Sequence, residues 1–208
     1  GGGIFLRSAK SIPISAQMKS RFDITADKLA PTELLNALLK APVDLLWNGG
    51  IGTYVKAASE THADVGDRAN NAIRINGGEL RCKVVGEGGN LGLTQRGRIE
   101  AAQQGVLLNT DFIDNSAGVD TSDHEVNIKI LLGEIVSAGD MTGKQRNKLL
   151  VEMTDAVGGL VLGNNYKQTQ ALSLAERRAR ERVSEYKRLM SALESAGKLD
   201  RGLEFLPS

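Results

Sequence analysis

The sequence is poor in the features that mark oxidised, membrane-spanning or polyanion-binding proteins. One cysteine in 208 residues leaves Cys82 without an internal disulfide partner, which suits a reducing compartment. No uninterrupted apolar run approaches the ~20 residues that cross a bilayer as a helix, so no membrane partner is expected. Charge of one sign is equally scarce. With 26 basic and 25 acidic residues the formal net charge is +1, so no global field recruits nucleic acid or an anionic surface. Any partner must be recognised by a local site, and a small ligand suits that best. The chain opens Gly1-Gly2-Gly3-Ile4, with neither an initiating Met nor a basic-then-apolar leader. It therefore reads as a piece of something longer without a secretion signal, and a cytoplasmic location is expected. Internal repeats and low-complexity linkers are absent as well.

What is present suffices for a core, since 41% of the residues are hydrophobic. At roughly 150 residues per domain the length admits one large or two small units. A change of pattern near residue 122 argues for two, 1–121 and 122–208. In the first, Pro31 to Lys40 puts Leu34, Leu35, Leu38 and Leu39 on one side of a short helix, and Val43 to Trp47 forms an apolar run ending in Asn48-Gly49-Gly50. Residues 80–85 predict the next strand, 94–104 a helix, and Val106-Leu107-Leu108 another strand, with Gly105 marking the change. Strands alternating with helices predict an α/β unit with a parallel sheet flanked by helices, whose ligand crevice lies beyond the carboxyl ends of the strands.

From Ser122 onward an α-helical segment is expected. Three stretches open with a capping-box pattern: Ser122 with Glu125, Thr142 with Gln145, and Ser173 with Glu176. In the second, Leu149, Leu150, Met153, Val157, Leu160 and Val161 recur at helical spacing before Gly163-Asn164-Asn165. In the third, Val183, Tyr186, Met190 and Leu193 do so before Gly197.

Glycines 86, 88 and 92 in "KVVGEGGNLGLTQRGR" give a G-x-G-x-x-x-G spacing between strand and helix, one residue longer than the dinucleotide fingerprint. A phosphate cradle, another part of a cofactor site and a plain tight turn all fit that spacing. The Asn-bearing turns at 48–52 and 114–118 could line the same crevice. Asp120, Asp123, His124 and Glu125 are metal-ligand types, but consecutive residues at a helix start point in different directions, so no metal is expected. "ERRARER" at 176–182 interleaves its arginines with Glu176 and Glu181 and reads as a solvated helix face, not a nucleic-acid contact. Cys82 reads as a small buried apolar residue.

The stretches "DLLWNGGIGTYVKA" (44–57), "VVGEGGNLGLTQRGRIE" (84–100) and "DNSAGVDTSDHEVNIKILL" (114–132) resemble the large NAD-specific glutamate dehydrogenases of bacteria. So do the opening "GGGIFLRSAKSIPIS" and the tail "LDRGLEFLPS", which carries the resemblance over essentially the whole chain. It implies that 1–121 is part of an NAD-binding, Rossmann-like domain and that 122–208 is a helical C-terminal region. It also implies oxidative deamination of L-glutamate to 2-oxoglutarate with NAD as cofactor, by an enzyme that is a homo-oligomer when whole. The shorter glutamate dehydrogenases carry a Glu-Gly-Ala-Asn motif, matched here by Glu87-Gly88-Gly89-Asn90. By that resemblance Asn90 takes a ribose or nicotinamide role beside the nicotinamide end of the cofactor, and Gly88 and Gly89 belong to the cofactor-binding turn. Their Asn-Ala-Gly-Gly-Val-Thr-Val-Ser motif is matched, with departures at four middle positions, by residues 115–122, which implies that Asn115 meets the carboxamide and Ser122 the substrate carboxylate. Gly49 and Gly50 stand where that family has Pro-Ala-Ala, and would approach the cofactor closely. Ser122 has two compatible readings, helix cap and substrate ligand. The family's catalytic Lys and Asp belong to a preceding substrate domain and have no counterpart here, so no catalytic residue is expected in this chain and the isolated chain is expected to be inactive. The alternative is a non-catalytic nucleotide-binding or regulatory module with the same fold.

Overall fold

The computed structural model describes residues 2–206. Gly1 of the opening and Pro207-Ser208 of the tail lie outside them. The chain divides into two compact units, Gly1–Asp114 and Asn115–Ser208.

The first unit begins with a short antiparallel pair, β1 (Ile12–Pro13) and β2 (Lys28–Leu29), around α1 (Ala16–Phe22). Ser15 caps α1 by accepting from the Met18 backbone N–H. Helix α2 (Pro31–Leu39) starts on a proline, whose missing N–H costs nothing at the first helical position. Its Leu34 packs with Ile12, Ile14 and Ile24 in one small core.

The second core lies under the parallel strands. Strand β3 (Leu45–Asn48) pairs with β6 (Val84–Glu87), Leu45 opposite Val84 and Asn48 opposite Glu87. Strand β4 (Val55–Lys56) pairs, also parallel, with β5 (Ile75–Asn76). The expected strand at 106–108 is reduced to one parallel bridge. Leu107 donates to the Lys83 carbonyl and accepts from Val85 N–H, both at 2.9 Å. Helix α3 (His62–Val65) lies between β4 and β5. Helix α4 (Gln95–Gln103), capped by Thr94, follows β6. Val55, Ile75, Leu80, Val85, Leu93, Ala101 and Val106 bury together with Cys82, whose thiol is pushed up by that burial. A mixed α/β unit with small parallel sheets and flanking helices is thus observed as expected. The strand predicted at 80–85 runs later, because residues 80 and 82 bury in the core before the ladder begins. Helix α5 (Asp111–Asp114) closes the unit.

The second unit is helical: α6 (Ser116–Ser137), α7 (Gly143–Arg178) and α8 (Val183–Ser195). Of the three capping boxes only Thr142 stands, accepting from Gln145 N–H while the Gln145 side chain accepts from Thr142 N–H. Ser122 lies inside α6 and Ser173 inside α7. Each donates its hydroxyl backward, Ser122 to the Val119 carbonyl at 2.8 Å and Ser173 to the Thr169 carbonyl at 3.0 Å. The cap reading of both is therefore corrected, since a serine can satisfy itself on the preceding turn without ending it. Gly163-Asn164-Asn165 does not stop α7 either. Asn164 donates to Asp120 and Asn165 to Ser116 on α6, at 2.9 and 2.6 Å, so two poor helix formers gain partners across the helix pair. Within 176–182 the chain is mostly exposed, but α7 ends at Arg178, so the segment is not one continuous helix face.

Candidate functional site

Because β3 and β6 run parallel in register, their carboxyl ends deliver two turns to the same edge: Asn48 to Gly52 after β3, and Gly88 to Gly92 after β6. The two turns are packed on each other. A Cβ on Gly89 would sit 2.6 Å from the Gly50 carbonyl oxygen, and one on Gly92 would overlap the Asn48 side chain at 1.8 Å. Gly88 and Gly49 lie against Trp47, where a Cβ would come within 2.7 and 3.1 Å of the indole. Three of the four predicted cofactor glycines are therefore small because protein packs on them; only Gly50 faces open space. Asn90 is exposed at the tip of the second turn.

A buried ion pair anchors this arrangement from below. Glu87, the last residue of β6, is 1% exposed. Arg98 on α4 forks onto it, Nε to Oε2 at 3.0 Å and Nη2 to Oε1 at 3.1 Å. The fork matches the carboxylate geometry and makes two charge-assisted bonds. Burial pushes the Glu87 carboxyl above its ordinary value, against the pull of Arg98. Arg98 also reaches Asp111 of α5 at 3.3 Å, and Asp111 accepts from Leu91 N–H at 2.7 Å. Asp114 accepts from Glu87 N–H at 3.0 Å. The first turn has its own anchor. Arg74, its side chain wholly buried, donates to the Thr53 carbonyl at 2.8 Å, and Asp67 accepts from Thr53 N–H at 2.9 Å. Thr53 then joins the two turns by donating its hydroxyl to the Leu91 carbonyl at 2.6 Å.

Beside the turns, a cavity of about 600 Å³ opens between α2, β3 and the N-terminal segment. Leu34, Leu38, Leu46 and Trp47 give it apolar walls, and Asn48 and Gly50 give it a polar rim. Apolar walls with a few convergent polar groups are what small-ligand pockets provide.

The remaining predicted residues belong to the second unit. Asn115 immediately precedes α6, its carbonyl accepting from Gly118 and Val119 N–H, and Gly118 leaves room for its side chain. Ser122 lies on the same face of α6, about 10 Å further along, and is exposed. His124 stands 3.4 Å from Asp120, while Glu125 pairs with Lys129. The sequence pattern alone gives no role to Glu87, Arg98, Asp111, Arg74 or Thr53. The available signal was a carboxylate closing the apolar run Val84-Val85-Gly86-Glu87, a residue type seldom buried unless paired.

Short parallel strands flanked by helices and ending in packed glycine turns define a class, the mixed α/β units. The family described as bacterial NAD-glutamate dehydrogenase, catalytic domain, matches residues 1–175, and this chain belongs to it. Over its whole length it is 76% identical to an NAD-specific glutamate dehydrogenase of Pseudomonas aeruginosa, 66% to one of Halomonas elongata and 48% to one of Mycobacterium tuberculosis. The chain spans 13% of the length of each of these relatives.

Proposed function

We propose that this chain forms part of the cofactor half of an NAD-dependent glutamate dehydrogenase, which converts L-glutamate, NAD⁺ and water to 2-oxoglutarate, ammonium, NADH and a proton. The observation that carries this reading is the pair of turns at 48–52 and 88–92, locked together at the carboxyl edge of a parallel sheet in a chain of this family. NAD supplies the hydride acceptor. The protein's part is orientation, and an Asn side chain both donates to and accepts from a carboxamide, which fixes the face a nicotinamide ring presents. Asn90 and Asn115 take that role in this proposal, with Gly49, Gly50, Gly88 and Gly89 shaping the turns around the cofactor. Ser122 contacts the substrate carboxylate. To donate to a carboxylate its hydroxyl must turn away from the Val119 carbonyl, because it has one proton to give.

The test uses the full-length protein. It should reduce NAD only when L-glutamate is present, and Asn90→Ala should lower kcat about tenfold or more while leaving the thermal midpoint unchanged, since a misaligned ring loses rate more than it loses packing. A full-length protein that binds NAD without glutamate-dependent turnover would be the non-catalytic module instead.

A further inference from the structure

The structure assigns Asp111 a positioning role: with the buried Glu87 and Arg98 behind it, it holds Leu91 in a left-handed conformation and so aims the neighbouring Asn90. The inference rests on the proposed contact between Asn90 and the nicotinamide end of the cofactor.

Leu91 has φ +59°, a region that branched, bulky residues avoid. The residue is 66% exposed, so packing of the leucine does not impose that backbone. Side chains hold it instead. Its N–H donates to Asp111, 20 residues further along the chain, and its carbonyl accepts from Thr53, 38 residues earlier. Asp111 is itself fixed by Arg98, and Arg98 by Glu87 in the core. Strained backbone persists only where its surroundings over-determine it, and here both polar groups of one residue are clamped by long-range partners. Releasing the clamp lets Leu91 return to an ordinary region, which rotates the peptide joining it to Asn90 and re-aims the Asn90 side chain. Asp111 and Thr53 thus act on the ligand through Asn90 and need not touch it.

The experiment measures glutamate oxidation by the full-length enzyme carrying Asp111→Asn. Asn keeps the size of Asp, but its NH₂ cannot accept from a second donor, so Arg98 and Leu91 N–H are no longer both satisfied. We expect kcat to fall about tenfold. Ile24→Ala, in the separate core around α1 and α2, is the control for lost stability and should keep wild-type kinetics below its melting temperature. Adding Leu91→Gly to Asp111→Asn should recover several-fold of the lost rate, because glycine adopts the left-handed conformation without a clamp. Thr53→Val, which releases the clamp from the carbonyl side, should lower kcat in the same way and serves if Asp111→Asn does not fold. Asn90→Ala is assayed in parallel. If it is impaired while Asp111→Asn, or Thr53→Val in its place, matches Ile24→Ala, the inference is overturned and the Asn90 contact stands. A loss in Asp111→Asn that Leu91→Gly does not relieve also overturns it. A silent Asn90→Ala overturns the contact itself, and the inference with it.

Discussion

In the first unit Glu87, Arg98 and Arg74 have side chains 1%, 9% and 0% exposed, and the bonds Arg98 to Glu87 and Arg74 to the Thr53 carbonyl join residues eleven and twenty-one apart. In the second, the pairs Glu125–Lys129, Lys148–Glu152 and Arg182–Glu185 are exposed and span three or four residues along one helix or its start. The contrast follows from backbone hydrogen bonding. A helix satisfies its own N–H and carbonyl groups at every turn, so its charged side chains can remain in water. An irregular turn has no such ladder, and the buried groups at 87–93 take side-chain partners from elsewhere. The first unit is therefore specified by distant contacts, and the helical unit mostly by near ones.

The largest test of that contrast is Arg98→Met, which leaves Glu87 buried without its partner. Loss of one member of a buried pair costs about 3–5 kcal/mol, to be measured by chemical denaturation. Lys129→Met, at an exposed pair of α6, should leave the midpoint where it was. Equal effects would erase the distinction between the units.

Glycine gives a sharper and smaller contrast, because the same substitution should change sign. Gly89→Ala forces a Cβ to 2.6 Å from the Gly50 carbonyl and should destabilise by about 1–3 kcal/mol through overpacking. Gly158→Ala, in the middle of α7 with nothing within 4 Å, should stabilise by about 0.8–1 kcal/mol through helix propensity. Thermal unfolding of the two variants side by side decides it. The smallest effects separate the true cap from the false ones. Thr142→Ala should cost about 0.5–2 kcal/mol. Ser122→Ala and Ser173→Ala, at internal exposed positions, should stay within about 0.5 kcal/mol. A Ser122→Ala loss as large as that of Thr142→Ala would restore the cap at Ser122.

Legibility in the sequence tracked local physics. Helix α2 and helix α4 lie within a residue or two of their expected ranges, because apolar spacing and a following glycine are local signals. The pattern Ser-x-x-Glu misled at 122 and 173, because an exposed serine followed by a glutamate also suits the solvated face of a helix that continues. Gly163-Asn164-Asn165 misled for a different reason: the partners that keep those asparagines helical are Asp120 and Ser116, more than forty residues earlier. The glycine turns were visible as turns, but what they face was not. Gly88, Gly89 and Gly49 read equally well as room for a ligand or as room for protein.

By itself the sequence determined that the chain alternates short strands and helices and then becomes helical, and its motifs were long enough to indicate the family. Those properties are written in periods of two and 3.6 residues and in contiguous strings. Only the tertiary structure decided that Glu87, Arg98 and Asp111 form one buried group, that Trp47 lies on Gly88 and that a strained Leu91 sits beside Asn90. Each is a meeting of residues whose separation along the chain carries no period, and the conformation at Leu91 follows from partners 20 and 38 positions away, not from its neighbours.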